Sequence, residues 1–583
     1  MHESSINMAG SLRLRPAGQV MQLERLGSLH ASRLSFVRTL VRQMARQRWQ
    51  VSCTRFDLDA QGHGTAVYRL QTPYGRYHGV IFAQPLEDSA RSDRVIAEAW
   101  DVTFGVVEGE LNEDLLAQMA ANVPLQEAGR QDPRVLVLSR ANKSLRNFAS
   151  FVDALAEGRQ PDPAWLTKVG YLYRTTAVYG NGKFGIADYA RLQDSPDFRR
   201  PFSVQMFAVY LLRHFSIEQV EHIARSRAPE SAVAMHPTLR RYLGIGNSTG
   251  LGMAPFLINH PQLIQQWILS RESALAMALE QVPTEAERWR LIELTRRAMQ
   301  HLAQTVTEDK PQQERNLETV ASLPEVLTWL ETVPLDTDLW QQLTAWAERT
   351  LQLETQELIN TLLLELYPAV VEPFEDQMSA DERVELTPDM PLVRLKQLID
   401  THYDWTLDHD FTTREGCYWF WYRSIEKEEP RLGVRHQEPG AEKEMPLAIA
   451  PRVQRAHDAI CAFLSDHPRA LVVEFLMEQP RYKEIVRRIQ TMAETAYGEI
   501  RANLWHRDMK PMHLLRAKLS FFGASRFDPK SDRWVRMTLF QGAPLVEELN
   551  AEPVDLVDFD DWSFSLEPAA IDTHLPKAGE TPE

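Results

Sequence analysis

The chain has 583 residues, 44% of them hydrophobic and 25% charged, with a formal net charge of -16. That length exceeds what one hydrophobic core usually organises, so several units of a soluble globular protein are expected. The acidic total argues against nucleic acid as a partner. Cys53, Cys417 and Cys461 stand alone in sequence, which argues against a disulfide scaffold and for a reducing, cytoplasmic setting.

The expected fold class is mixed α+β, predominantly helical. Patterning divides the chain into a leader (1–27), an α+β domain (28–160), a helical domain with glycine-rich loops (161–303) and a linker (304–318). A helical segment (319–427), a loop or linker (428–447), a C-terminal α+β unit (448–566) and a disordered tail (567–583) follow. The first fifty residues hold eight arginines, no lysine and two acids, a bias shared with organelle transit peptides. Leu34, Val37, Val41 and Met44 fall at helical spacing with Arg38, Arg42 and Arg46 on another face. This reads as a packing helix with a solvated basic side.

Gly64–Gln71 and Arg76–Ala83 are strand-like runs around the turn Thr72-Pro73-Tyr74-Gly75, so a hairpin is expected. Val102–Val107 and Arg134–Ser139 add strands, with helices over 112–121 and 144–156. Helices are then expected over Leu166–Val178, Phe202–Phe215 and Ile217–Ala228, and Thr238–Leu243 also reads as helix. No apolar run reaches the length of a membrane span, since the longest, Phe202–Leu212, is broken by Arg213. Leu323–Tyr367 has helical spacing among many acids. Helices to about Trp505 and a strand pair over Leu519–Phe527 and Trp534–Gln541 complete the last unit.

The densest group of permissive residues is Gly244 to Phe256, with four glycines in nine positions and Asn247, Ser248 and Thr249 among them. Glycines admit positive φ and close approach to backbone N–H groups, and Met253–Leu257 could open a helix whose N-terminus attracts an anion. A second glycine-rich turn, Tyr179 to Gly185, carries Asn181 and Lys183. Neither a Walker loop nor a dinucleotide fingerprint fits. The expected anion site comprises Gly246, Asn247, Ser248, Thr249, Gly250 and Asn181, with Arg174, Lys183, Arg240 and Arg241 supplying charge. His236 and His260 are the nearest groups for proton transfer. On this reading the chain is an enzyme for a small anionic substrate or a phosphate-bearing cofactor. Reaction type, cofactor and oligomeric state stay open. The alternative is a partner-binding scaffold whose glycine turns pack helices.

Three further stretches stand out. His402 to Asp410 holds two histidines and three aspartates but matches no standard metal spacing, so a polar helix end or loop is expected and no metal is assigned. Cys417 to Arg423 is aromatic enough to be core. His506-Arg507-Asp508-Met509-Lys510-Pro511-Met512-His513 resembles the protein-kinase catalytic loop, with Asp558-Phe559-Asp560 after it. The kinase asparagine is replaced by His513 and the glycine after Asp-Phe by Asp560, so no roles carry over.

Overall fold

The computed structural model describes residues 12–87, 99–123, 132–175, 177, 192, 194–250, 261–379, 385–413, 449–493, 495–501, 509–531, 534–551 and 560–568. Among them, helix (55%) outweighs strand (14%) in a mixed architecture. A nine-stranded sheet is its spine: β1 (Gln50–Leu58), β2 (Gly64–Gln71), β3 (Arg76–Ala83), β4 (Val102–Glu108), β5 (Val135–Lys143), β6 (Tyr171–Thr175), β7 (Gly244–Gly250), β8 (Arg526–Ser531) and β9 (Trp534–Leu539). The spatial order is β1-β2-β3-β4-β5-β6-β7-β9-β8. Every neighbouring pair is antiparallel except β6 and β7, which run parallel. Strands from three of the segments that patterning separates therefore share one sheet.

The helices that matter for the site are α1 (Phe36–Arg46), α2 (Glu113–Ala121), α3 (Leu145–Ala156), α4 (Ser203–Arg227), α5 (Pro237–Tyr242), α6 (Pro261–Leu279), α7 (Glu285–Gln304), α8 (Lys310–Thr332), α9 (Leu339–Thr350), α10 (Leu353–Leu366), α11 (Leu392–His402), α12 (Ile449–Asp466), α13 (Lys483–Met492) and α14 (Leu515–Phe522). A parallel strand pair needs a crossover, and α4 lies within the one joining β6 to β7. It is buried through most of its length and packs on β3 to β7. α2 covers the opposite face, where Leu115, Leu116 and Met119 meet Val80, Phe82 and Val107.

Local patterning located β2, β3, β4, α2 and α3 within a residue or so, because alternation, turn chemistry and the Asn112 cap are all short-range signals. Five expectations are corrected. Leu166–Val178 is not one helix: Ala164–Val169 is helical and β6 follows. The two helices expected across 202–228 are one, α4. The linker over 304–318 is mostly the start of α8, opened by the Asp309 side chain accepting from the Gln312 amide, with Pro311 in the first turn. Leu519–Phe522 ends α14, so β8 begins only at Arg526. The leader, described from residue 12, is not loose: Val20, Met21, Leu23 and Leu26 are core.

The basic helix departs further from expectation. Its arginine face is not solvated: Arg38 is 4% and Arg42 1% exposed. Arg33, Arg38 and Arg42 all hydrogen bond to the buried Asp560, with closest distances of 2.7, 3.1 and 2.8 Å. Arg38 also reaches Glu365 at 2.7 Å, and Arg42 pairs with Glu375. A second buried cluster joins Arg15, Arg25 and Arg271 to Glu357, with Glu272 alongside. Buried charge persists only when paired, and the acids of α10 and of residues 372–375 provide the pairing. Among the described residues no helix is long and apolar enough to cross a membrane.

Candidate functional site

The glycine-rich stretch at 244–250 is the strand β7, not a loop. It pairs with β6 on one side and β9 on the other, so its backbone groups face ladder partners rather than a ligand. Its glycines are there for contact. A Cβ on Gly246 would come within 2.3 Å of the Tyr171 ring, and one on Gly244 within 2.4 Å of the Leu539 carbonyl oxygen. The cradle of free amides expected around Asn247 is therefore absent from this strand.

The expected site residues scatter accordingly. Register places Arg174 beside Gly246 and Ser248 beside Arg536, whereas Asn247 lies beside Thr175 and Thr249 beside Val535. Alternation sends Arg174 and Asn247 to opposite faces of the sheet. Asn247 is fully buried, and neither its amide nitrogen nor its oxygen has a protein partner. Arg240 pairs with Glu547 at 2.6 Å and Arg241 with Glu548 at 3.1 Å. His236 caps α5, its Nδ1 accepting from the Thr238 amide at 3.2 Å. Asn181, Lys183, His260, Met253–Leu257, Cys417–Arg423, Asp508 and Asp558 lie outside the described residues. His402 ends α11 as expected of a polar helix terminus, and no group of three His, Cys, Asp or Glu among the described residues is arranged to hold a metal.

A partly open space lies elsewhere. A cavity of about 80 Å³ sits between the segment entering α1, the end of α7, α14 with the start of β8, and residues 562–564. That is several times the ~10–15 Å³ one water needs. Gly523 ends α14 at φ +96 and forms part of the wall; a Cβ there would meet Val37 at 2.2 Å. Arg38, Arg516, Arg526, His30 and His301 line the cavity, and the described lining residues include no aspartate or glutamate.

The neutralising acids stand behind this lining. Asp560 and Glu365 hold Arg38, Glu567 lies 3.5 Å from Arg526, and Glu354 holds Arg516, whose Nε also donates to the Leu29 carbonyl at 3.0 Å. Ser35 Oγ and Arg526 Nε are buried without hydrogen-bond partners. A buried donor without a partner costs about 1–3 kcal/mol, so both gain from a guest with acceptor oxygens.

Both imidazoles are held neutral. Burial pushes His301 down to about 4, outweighing its contact with the Ser565 carbonyl, and Arg526 adds to the depression. Its Nδ1 lies 2.8 Å from Ser565 O and its Nε2 3.0 Å from Ser525 O, and the neutral ring, with one N–H, donates to one of these two carbonyls. Burial, then Arg516, drive His30 well below its ordinary value. His30 has its ring nitrogens 3.4 and 3.5 Å from Arg516 Nη2, with its Nε2 3.9 Å from the Glu354 carboxylate.

Sequence patterning missed this site because its parts lie up to some 500 residues apart. One signal was available: arginines without lysine or nearby acid in the first fifty residues imply distant acidic partners.

No family model matches the chain, and neither a curated protein nor a solved structure matches it.

Proposed function

We propose that the chain binds a small anionic ligand, a phosphate or carboxylate group, in the cavity between α1, α7 and α14. The observation carrying this reading is a lining with three guanidiniums, two neutral imidazoles and no described carboxylate. Guanidinium groups suit both anions as charged N–H donors, and Arg526 Nε and Ser35 Oγ are lining donors that the protein itself leaves unsatisfied. The low-polarity surroundings strengthen each such interaction relative to water. If the chain acts on its ligand, His30 is the group placed to carry a proton, being neutral and beside the cation that would hold the anion.

The expected anion class is thus kept and its place moved from the glycine-rich strand. The scaffold alternative gains from Gly244 and Gly246 serving close packing, but that packing exists with or without a partner.

Thermal denaturation in inorganic phosphate tests the reading, since a ligand that binds only the folded state raises the melting temperature. Phosphate at millimolar concentration is expected to stabilise the wild type and to lose that effect in Ala524→Leu, which fills the cavity without removing a charged residue. An equal shift in both proteins, or none in the wild type for phosphate, sulfate and acetate alike, would overturn it.

A further inference from the structure

The cavity has room for an anionic group and little more, so the remainder of a ligand must find its contacts outside. Resting on the anion reading above, we infer that the ligand is an organic anion with a hydroxyl-rich body, a sugar phosphate in chemical class, whose body lies in the groove across Trp562. Trp562 lines both spaces. The groove is open and measures about 540 Å³, within the range of about 300–1,000 Å³ typical of small-molecule sites.

The groove's charges point to the class of body. Arg241 Nη1 lies 3.1 Å from Glu548 Oε1, and Arg297 Nη1 lies 3.3 Å from Asp561 Oδ2. All four side chains are partly exposed, between 29% and 37%. Each pair cancels in charge while presenting donors and acceptors side by side. A hydroxyl both donates and accepts, so neighbouring hydroxyls on a ring match this array, and Thr238 adds one more such group. A second anionic substituent finds no uncompensated cation here, since each guanidinium is already paired with a carboxylate. An apolar ring would strip water from four charged groups without replacing its hydrogen bonds. The cavity supplies charge recognition and the groove supplies selection among anions.

Titration calorimetry of the full-length protein with inorganic phosphate, phenyl phosphate, glucose 6-phosphate and ribose 5-phosphate tests this. At least one sugar phosphate is expected to bind tenfold or more tightly than inorganic phosphate, with phenyl phosphate no tighter than inorganic phosphate. The Arg241→Gln/Glu548→Gln variant should lose the sugar-phosphate advantage and keep its affinity for inorganic phosphate. Should that variant fail to fold, Thr238→Ala, on the exposed rim, is expected to cut the advantage by severalfold. Equal affinity for all four ligands, or preference for phenyl phosphate, overturns the groove assignment and leaves the anion reading standing. Absence of binding by any of them overturns both.

Discussion

Gly246 shows how a single missing side chain positions a strand. Tyr171 occupies the volume a Cβ would need, 2.3 Å from its ring, inside a sheet covered by helices. Gly246→Ala is expected to cost about 1–3 kcal/mol, the usual penalty for overpacking a rigid interior, read as a lower midpoint in urea unfolding. The buried histidines set the acid limb of stability. His301 and His513 are both pushed down to about 4, in each case chiefly by burial. Between about 6.5 and 4 the unfolded chain carries protons at these positions that the native protein does not. Stability is therefore full above that window and falls as pH drops through it, by about 1.4 kcal/mol per pH unit for each group. His301→Gln should flatten that decline when unfolding is followed at pH 7, 5.5 and 4.5. Below this range the carboxylates take over: burial raises Asp560, but Arg38, Arg42 and Arg33 hold it well below the ordinary carboxylate range. Little of this was legible in sequence. Arg38 and Asp560 are separated by 522 positions, and nothing local to either marks the other as its partner.

Among the elements, α10 has a role its acidic composition conceals. Glu354, Glu357 and Glu365 span twelve residues, about three helical turns, and so share a face. That face is buried against arginines from the N-terminal segment, α1, α6 and α14. Glu357→Gln leaves Arg15, Arg25 and Arg271 with a weakened partner and is expected to cost about 3–5 kcal/mol, the range for breaking a buried pair. Glu331→Gln, in an exposed pair with Arg296, should change stability by less than about 1 kcal/mol. Chemical denaturation of both variants separates the two cases, and equal costs would remove the distinction. Sequence period correctly marks helices here, yet it cannot say which polar face is wet. In α1 the same ambiguity reverses the expected outcome, since Arg38 and Arg42 are inside and only Arg46 reaches solvent among the three. The hairpin of β2 and β3 was legible because its partners are adjacent and its turn lies at 72–75. β6 and β7 were not, because a five-residue strand and a glycine-rich one acquire their identity from neighbours far away in the chain.

At the scale of the molecule, the sheet ignores the boundaries that composition implies. β5 pairs with β6, and β7 pairs with β9, so a fragment of residues 1–160 would end on an unpaired strand. Exposed edges template association. Such a fragment is expected to elute as oligomers or aggregate in size-exclusion chromatography, and a stable monomer would show that the first five strands suffice alone. The order β7-β9-β8 carries a further consequence for biosynthesis. One flank of β7 waits for a strand that emerges about 280 residues later, which at roughly 5–20 residues per second means tens of seconds on the ribosome. During that interval the nascent protein offers a docking rail to any extended peptide nearby, so its yield in the cell should depend on holding factors that shield β7 until translation is complete.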